Sequence, residues 1–286
     1  MKEKSSLKDR YFKLLVALLI FSPLLSFSQN NILTSTVEEQ KTTRPAYLDI
    51  ALGINFSTFR DFATSPLTYS GSPVYIALSH LDLDIKRESS IGLSYFFGTY
   101  ESNFNEHKAV SKVNTITLNY LELFQLSKLS SSKINVKVGG QFNSTVNIRN
   151  NELLQNNSQG FEVISTLFGS INARLDLSPK KAKRRKITRH LTYRLNIGLI
   201  NSSYRNGFAY TSQSALLNED NLFDQYEFQI FSGYRINSKL DYTFWLSNKN
   251  AIQFSYLWDA YRTGGNHDEF EMAAHIVKFS LLYNLK

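Results

Sequence analysis

The chain has 286 residues, no cysteine, and a formal net charge of +8 from 32 basic and 24 acidic residues. The absence of cysteine excludes a disulfide scaffold and any cysteine-ligated metal site. With 42% hydrophobic and 20% charged residues the chain is too apolar to be disordered, and its mean hydropathy of −0.26 argues against a bundle of membrane helices.

The first 28 residues have the pattern of an export signal. Five basic and two acidic residues precede an apolar block at residues 14–25, which is shorter than the ~20 residues of a membrane-spanning helix. Ser26 and Ser28 follow in the small-x-small arrangement that a signal peptidase recognises. We therefore predict a signal peptide at residues 1–28, with an uncleaved anchor helix as the alternative. Residues 29–45 are predicted to form a polar periplasmic arm, and residues 46–286 the folded domain.

Beyond this segment, apolar and polar residues alternate with a period of two, which is typical of strands with one apolar and one polar face. Residues 191–199 and 277–285 show this period, and in the segment 48–56 the even positions are Leu48, Ile50, Leu52, Ile54 and Phe56. No run of ~18 apolar residues follows the signal, so no membrane helix is predicted there. Such strands fit either a soluble sandwich with its apolar faces inward or a membrane barrel with its apolar faces outward.

The longest alternation favours the membrane barrel. It runs over 21 residues, 226–246, whereas strands of globular proteins usually have about 3 to 10 residues. At ~3.3 Å per residue such a strand would be about 70 Å long. Tilted by ~45° it would rise about 50 Å, roughly twice the ~25 Å apolar band of an outer-membrane barrel. The pattern predicts a strand that crosses the membrane and projects beyond it.

The whole chain beyond residue 45 divides into ten candidate strands, at about residues 46–60, 73–87, 90–102, 113–128, 133–149, 161–178, 187–204, 225–247, 251–262 and 269–286. Changes of phase near Leu78, Tyr120 and Gly139 predict bulges or kinks. Short turns alternate with long connections, and in outer-membrane barrels the short turns lie on the periplasmic side. The short turns are at 88–89, 129–132 and 248–250, and the long connections are at 103–112, 150–160 and 205–224. The predicted fold is an all-β, antiparallel transmembrane β-barrel of ten strands, with eight or twelve as alternatives.

Five segments carry a family resemblance: Ser26-Phe27-Ser28-Gln29, Gly53-Ile54-Asn55-Phe56-Ser57, Tyr120-Leu121-Glu122-Leu123, Val136-Lys137-Val138-Gly139-Gly140 and Phe279-Ser280-Leu281-Leu282-Tyr283-Asn284-Leu285-Lys286. Together they resemble the outer-membrane β-barrel proteins of Bacteroidota. This resemblance implies the fold and a location in the outer membrane of a Gram-negative bacterium. It implies no single activity, because the group contains porin-like, assembly, secretion and unassigned members.

With the apolar faces turned outward, the polar faces would fill the lumen with charges. The expected set comprises Asp49, His80, Asp82, Asp84, Lys86, Arg174, Asp176, His190, Arg194, Glu227, Arg235, Lys239, Asp241, Asp259 and Lys278. A barrel of about eight strands is just wide enough for its side chains to fill it, and ten strands leave little more room. Because acids and bases are nearly equal in number, we predict an interior closed by ion pairs, with a narrow polar pore as the alternative.

His80, Asp82 and Asp84 share one predicted face at spacings of two and four residues, which would bring an imidazole and two carboxylates within about 7 Å. One interpretation is a general-base or metal site, and the other is ion pairing inside the lumen. The second predicted strand runs from the outer surface toward the periplasm, so these residues would lie toward the periplasmic end. An enzyme that acts on external substrate would need its site at the opposite rim. We therefore assign no catalytic residue, no metal site and no cofactor.

A basic turn is made of Lys180, Lys181, Lys183, Arg184, Arg185 and Lys186. Strand parity places it on the periplasmic side, where it is either a solvated turn or a contact for anionic headgroups or an acidic partner. Export makes nucleic acid an unsuitable partner. The connection 205–224 contains several apolar residues, which predict self-packing, partner docking or folding over the mouth.

The predicted function is that of a non-enzymatic integral outer-membrane barrel. It would act either as a structural or accessory subunit of an envelope assembly or as a narrow pore. Its partners would be outer-membrane lipid and, through the outer loops or the basic turn, other envelope proteins. The alternative is a hydrolase at the barrel rim that acts on lipid or peptide.

Overall fold

A computed structural model describes residues 44–104, 107–151, 159–178, 188–206, 226–265 and 269–285. Within these ranges no helix has the length and apolar character that a membrane crossing requires. A 3-10 turn lies at Ser127–Leu129. The strands are β1 (Ala46–Asp61), β2 (Ser65–Gly71), β3 (Val74–Leu83), β4 (Arg87–Phe104), β5 (His107–Gln125), β6 (Ile134–Asn150), β7 (Gln159–Asp176), β8 (Thr188–Asn206), β9 (Tyr226–Ile230), β10 (Tyr234–Trp245), β11 (Ala251–Arg262) and β12 (Phe270–Asn284).

The strands form one closed antiparallel barrel. Strand β12 pairs with β1 along its whole length, from Tyr47 opposite Asn284 to Asp61 opposite Phe270, so the sheet returns to its first strand. Strands β2 and β3 lie end to end between β1 and β4, and β9 and β10 both pair with β8. The wall therefore has ten positions, which confirms the predicted antiparallel barrel of ten strands.

The exterior of the barrel is apolar, whereas the interior combines many polar and charged side chains with a cluster of aromatic and apolar ones. On β1, Leu52 is 61% exposed to the exterior, whereas its near neighbour Asn55 is fully buried inside. Every one of the ten wall positions contributes a large apolar side chain to the exterior: Ile54, Leu78, Leu93, Leu118, Ile148, Ile171, Ile197, Leu240, Phe254 and Val277. The period-two pattern produces this arrangement because successive side chains of a strand point to opposite faces.

The two ends of the barrel are defined by the chain. We call the end that carries Ala46 and Asn284 the terminal end, and the end that carries Asp61 and Phe270 the distal end. Because neighbouring strands are antiparallel, the turns at residues 84–86, 126–133 and 246–250 lie at the terminal end.

Several predicted strand boundaries are wrong. Residues 103–112 were expected to be a long connection, yet β4 continues to Phe104 and β5 begins at His107, with Phe104 opposite His107. The extra strand β2 was missed because Pro66, Gly71 and Pro73 interrupt the apolar pattern. The predicted short turn at Glu88 lies instead within β4, and Glu88 is buried.

The predicted uninterrupted strand at 226–246 is broken at residues 231–233. Phe231 and Gly233 have φ angles of 60° and 67°, a region that L side chains rarely adopt. A Cβ atom at position 233 would collide with the carbonyl oxygen of Arg262, so this position requires glycine. The break also turns Ser232 inward, where it shares a 2.7 Å hydrogen bond with Ser203, although the alternation predicted an outward Ser232.

Changes of phase occur elsewhere than predicted. Strands β3, β5 and β6 keep one phase throughout, so the bulges expected near Leu78, Tyr120 and Gly139 are absent from these described strands. Instead, the register of β7 against β8 shifts at Leu199, which forms a bulge in β8. Leu199 and Ile200 both face outward, and the residues that face the lumen are even-numbered before this bulge and odd-numbered after it.

Candidate functional site

A cluster of buried charges lies in the lumen toward the terminal end. We call it the Glu88 cluster, and its other members are Lys137, Arg174 and Arg194. A carboxylate oxygen of Glu88 accepts a hydrogen bond from Arg194 at 2.5 Å, and the other lies 3.5 Å from Lys137 and 3.6 Å from Arg174. The side-chain amide of Asn172 also donates to it at 3.3 Å. One acid is therefore surrounded by three bases that come from β6, β7 and β8.

A second cluster lies at the distal end and contains two acids and two bases. In this distal-end cluster, Arg149 lies 2.7 Å from Asp61 and 3.2 Å from Glu162, and Arg205 lies 2.6 Å from Asp61 and 3.8 Å from Glu162. None of the four side chains is more than 5% exposed. Each charge therefore has two opposite neighbours in a site almost without solvent, the condition under which buried charges are tolerated.

Aromatic rings pack directly against the distal-end cluster. The guanidinium of Arg149 lies 4.5 Å from the ring centre of Phe270 and 5.3 Å from that of Phe59, and Arg205 lies 5.6 Å from Phe270. Phe59 stacks on Tyr69 with 5.1 Å between the ring centres. Rings and ion pairs together fill the lumen at this end.

Between the two clusters the lumen encloses a cavity of about 180 Å³, which we call the chamber. One wall, formed by β3, β4, β11 and β12, carries apolar and aromatic side chains such as Tyr75, Phe96 and Tyr261. The opposite wall, formed by β5, β6, β8 and β10, carries amides and hydroxyls such as Asn143 and Asn196. None of the four residues of the distal-end cluster lines the chamber.

Charged side chains in the chamber wall are mostly paired. Arg235 binds both carboxylate oxygens of Asp259, at 3.1 and 2.6 Å. Lys239 lies 2.9 Å from Asp241 on the same strand. Arg235 and Lys239 are thereby held against the wall by carboxylates.

Most of the predicted lumen residues face inward. The chamber is lined by Asp49, Arg174, His190, Arg194, Arg235, Lys239, Asp241, Asp259 and Lys278. Asp176 stands at the terminal rim, where it accepts a hydrogen bond from the backbone of Ser178 at 2.8 Å. Glu227 belongs to β9 opposite Arg205, but its side chain lies outside the described residues. The basic turn at 180–186, the signal and arm up to residue 43, and residues 207–224 also lie outside them.

Four predicted lumen residues lie elsewhere. Strand β3 directs its odd-numbered residues inward, so His80 and Asp82 face the exterior, with Nδ1 of His80 3.9 Å from Oδ2 of Asp82 and His80 46% exposed. Asp84 and Lys86 belong to the terminal-end turn between β3 and β4, and the backbone carbonyl of Asp84 accepts a 2.5 Å hydrogen bond from Lys137. The three-residue constellation is therefore not assembled inside the barrel.

His190 lies in the half of the barrel that contains the chain ends, close to Trp245 and Asp176. His190 accepts a hydrogen bond at Nδ1 from the indole of Trp245 at 2.9 Å, and its Nε2 lies 4.0 Å from Asp176. Across the described ranges, no group of three or more histidine, cysteine or acidic side chains is arranged to hold a metal ion.

Sequence reasoning predicted Arg174 and Arg194 of the Glu88 cluster as lumen residues but missed Glu88, Lys137 and all four residues of the distal-end cluster. Glu88 was assigned to a turn, Asp61 to the connection after the first predicted strand, and Arg205 to a long connection. Arg149 and Glu162 were read as strand ends without a role. A signal existed for Glu162, because it alternates in phase with the predicted lumen residues Arg174 and Asp176 of the same strand. No such signal existed for Arg205. The bulge at Leu199 precedes it in β8 and changes the lumen-facing residues from even-numbered to odd-numbered ones.

No protein-family model matches the chain, and no curated protein is significantly similar to it. Solved structures of similar fold include the translocator domain of the autotransporter NalP from Neisseria meningitidis, at 8% identity over 98% of this chain and 96% of that one, with a TM-score of 0.37. The transport unit of the autotransporter AIDA-I from Escherichia coli has 7% identity over 88% and 93% of the two chains and a TM-score of 0.40. An outer membrane channel from Pseudomonas putida F1 has 10% identity over 88% and 100%, with a TM-score of 0.30. At these TM-scores the likeness carries no argument about function, and the barrel is established by its own strand pairing.

Proposed function

We propose that the protein is an integral outer-membrane β-barrel whose lumen is closed to ions, so that it serves as a structural or accessory barrel and not as a pore. The observation that carries the membrane assignment is the continuous apolar exterior around a closed barrel with a polar interior. A water-soluble barrel would have the opposite distribution, because exposed apolar surface of this extent is unfavourable in water.

The height of the apolar exterior fits a bilayer. On β1 the outward residues are apolar from Leu48 to Phe56, and the next two, Thr58 and Arg60, are polar. Eight residue steps of ~3.3 Å span about 26 Å along the strand, or about 20 Å along the barrel axis at a tilt of ~40°. This is close to the ~25 Å apolar band of outer-membrane barrels.

The packing of side chains at the distal end supports the closed lumen. The distal-end cluster and its aromatic rings occupy the lumen with side chains that are at most 5% exposed. Moving an ion past this site would require separating Arg149 or Arg205 from its carboxylates in a region of low dielectric, which is costly.

Export by the signal at 1–28, membership of the Bacteroidota group and contact with other envelope proteins remain predictions. The segments that would carry partner contacts, the basic turn and the residues 207–224, lie outside the described residues. The exported location agrees with the apolar exterior, because β-barrels with lipid-facing walls occur in outer membranes.

Cysteine accessibility tests this proposal, since the chain has no native cysteine. Leu93 and Glu101 both face outward from β4, the first within the apolar band and the second beyond it. In intact cells a membrane-impermeant maleimide should label Glu101→Cys but leave Leu93→Cys unlabelled, and both should react after denaturation. Ser131→Cys, in a terminal-end turn, should react only after the outer membrane is permeabilised. Equal labelling of Leu93→Cys and Glu101→Cys in the folded protein would refute the membrane assignment.

A further inference from the structure

We infer that the chamber is a binding site for one small uncharged molecule that carries several hydroxyl groups, such as a monosaccharide or a cyclic polyol. This goes beyond the membrane role above and does not depend on it, because binding would occur inside the barrel and can be measured in detergent.

The first argument is size. The chamber has a volume of about 180 Å³, which exceeds the ~150 Å³ of an engineered cavity that binds benzene. A six-membered ring with its substituents is therefore the scale of molecule that the chamber admits. The volume is too small for an oligomeric ligand, since typical drug-sized pockets begin at ~300 Å³.

The second argument is the chemistry of the two walls. Amides and hydroxyls, which both donate and accept hydrogen bonds, dominate the uncharged polar lining. Hydroxyl groups of a ligand also donate and accept, so they match such a wall in either direction. The opposite wall offers the rings of Tyr75, Phe96 and Tyr261, against which the C–H face of a sugar ring can pack.

The third argument is the presence of buried polar groups with no protein partner. Asn55 is fully buried and lines the chamber, yet neither its amide nitrogen nor its amide oxygen bonds to any described residue. Asn196 donates to Asn237 at 2.6 Å, but its own amide oxygen has no partner among the described residues, and the same holds for Oδ1 of Asp241. Buried polar atoms are normally hydrogen-bonded, so these groups are suited to a ligand with several hydroxyls.

The fourth argument is charge. Five basic and four acidic side chains line the chamber together with His190. Seven of these nine charges lie in ion pairs, Arg235 with Asp259, Lys239 with Asp241, and Glu88 with Arg174 and Arg194. The lining has an excess of one base over the acids, which disfavours a cation, and an anion would have to compete with Glu88, Asp241 or Asp259 for four of the five bases, which are already paired. An uncharged ligand avoids this cost.

Access is expected from the terminal end. Among the described side chains, Arg174 and Lys239 are 21% and 19% exposed, whereas the side chains of the distal-end cluster are at most 5% exposed. Trp245 lines the chamber near this end and provides an intrinsic reporter. The other tryptophan, Trp258, lies on the exterior opposite His275, so Trp258→Phe isolates the reporter.

The experiment is a fluorescence titration of the full chain carrying Trp258→Phe in a zwitterionic detergent, because sugar-headed detergents would compete. The probes are D-glucose, D-galactose and myo-inositol, with cyclohexanol as the ring that lacks additional hydroxyls. At least one of the three polyols should give a saturable change of the Trp245 emission and should bind more tightly than cyclohexanol. Asn55→Val should weaken that binding by about tenfold, the value of one good hydrogen bond.

Two matched substitutions localise the binding. Ala274→Leu fills the chamber and should abolish the saturable change, whereas Ala273→Leu, on the neighbouring outward position, should leave it intact. Thermal unfolding of both variants reports whether each is folded. The inference is overturned if no polyol gives a saturable signal, if Ala274→Leu binds as well as the parent chain while folded, or if cyclohexanol binds more tightly than every polyol.

Discussion

The two charge clusters of the lumen differ in charge balance and in contact with water. The distal-end cluster has two acids and two bases, and all four side chains are at most 5% exposed. The Glu88 cluster has one acid and three bases, and two of its bases, Arg194 and Arg174, are 12% and 21% exposed. The balanced cluster thus occupies the closed end of the lumen, and the unbalanced one lies beside the chamber.

This difference follows from the cost of desolvating charge. An ion without a partner in a region of low dielectric costs several kcal/mol, so a fully buried cluster must be neutral overall. Excess positive charge can remain where water reaches the guanidinium groups, because solvent screens it. The distal-end cluster is therefore suited to closing the barrel. The Glu88 cluster is suited to an end of the barrel that water enters.

The largest expected effect is on stability at the distal end. Glu162→Gln leaves Arg149 and Arg205 with Asp61 as their only acid, so the free energy of unfolding should fall by about 3–5 kcal/mol. Urea-induced unfolding in lipid vesicles measures this. The matched control is Glu101→Gln, which breaks an exposed ion pair with Lys108 and should cost at most ~0.5 kcal/mol. Equal losses for the two variants would show that the distal-end cluster is not a stabilising element.

Single-channel conductance of the barrel is the second way to test the difference between the two clusters. The parent barrel should give no steady single-channel current in planar bilayers. The double variant Glu162→Ala with Arg205→Ala removes one acid and one base from the distal-end cluster and should produce small steady currents, because the closing side chains are gone. The double variant Glu88→Ala with Arg174→Ala, equally neutral in charge, should remain silent because the distal end is still closed. Steady current through the parent protein would contradict the closed lumen.

A smaller loss of stability is expected at the Glu88 cluster. Glu88→Gln leaves three bases without an acid, but Arg174 and Arg194 retain access to water, so the free energy of unfolding should fall by about 1–3 kcal/mol, less than for Glu162→Gln. The loss should shrink in high salt, since anions can screen the exposed bases. A salt-independent loss as large as that of Glu162→Gln would mean that the two clusters are equally dry.

The smallest expected effect concerns Phe270, whose aromatic ring packs against the distal-end cluster. Phe270→Leu retains an apolar side chain but removes the ring that faces Arg149 and Arg205, so the free energy of unfolding should fall by about 1–2 kcal/mol. Phe279→Leu, on the exterior of the same strand, is the matched control and should cost less. If both substitutions have the same effect, the ring contributes only its apolar area.

Much of the wall could be predicted from the sequence. The alternation at Leu48 to Phe56 and the repeated strands along the chain sufficed to predict a ten-strand antiparallel barrel. The inward placement of Arg194, Arg235 and Asp259 followed from the same period. The period is a local property, and it holds as long as the backbone stays regular.

The contents of the lumen could not be predicted with the same success. The bulge opposite Leu199 carries Arg205 into the lumen, and the constant phase of β3 turns His80 and Asp82 away from it. One irregular residue reverses every later side chain of a strand, and the position of such a residue depends on the neighbouring strand.

By itself, the sequence determined which residues alternate, and therefore that the chain forms strands with one lipid-compatible face and one polar face. Only the tertiary structure decided which charges meet. Asp61 and Arg205 are 144 residues apart in the chain, and their contact depends on the closure of the barrel and on the register of the strands between them. Side-chain period is set within one strand, whereas partners across a lumen are set by all the strands together.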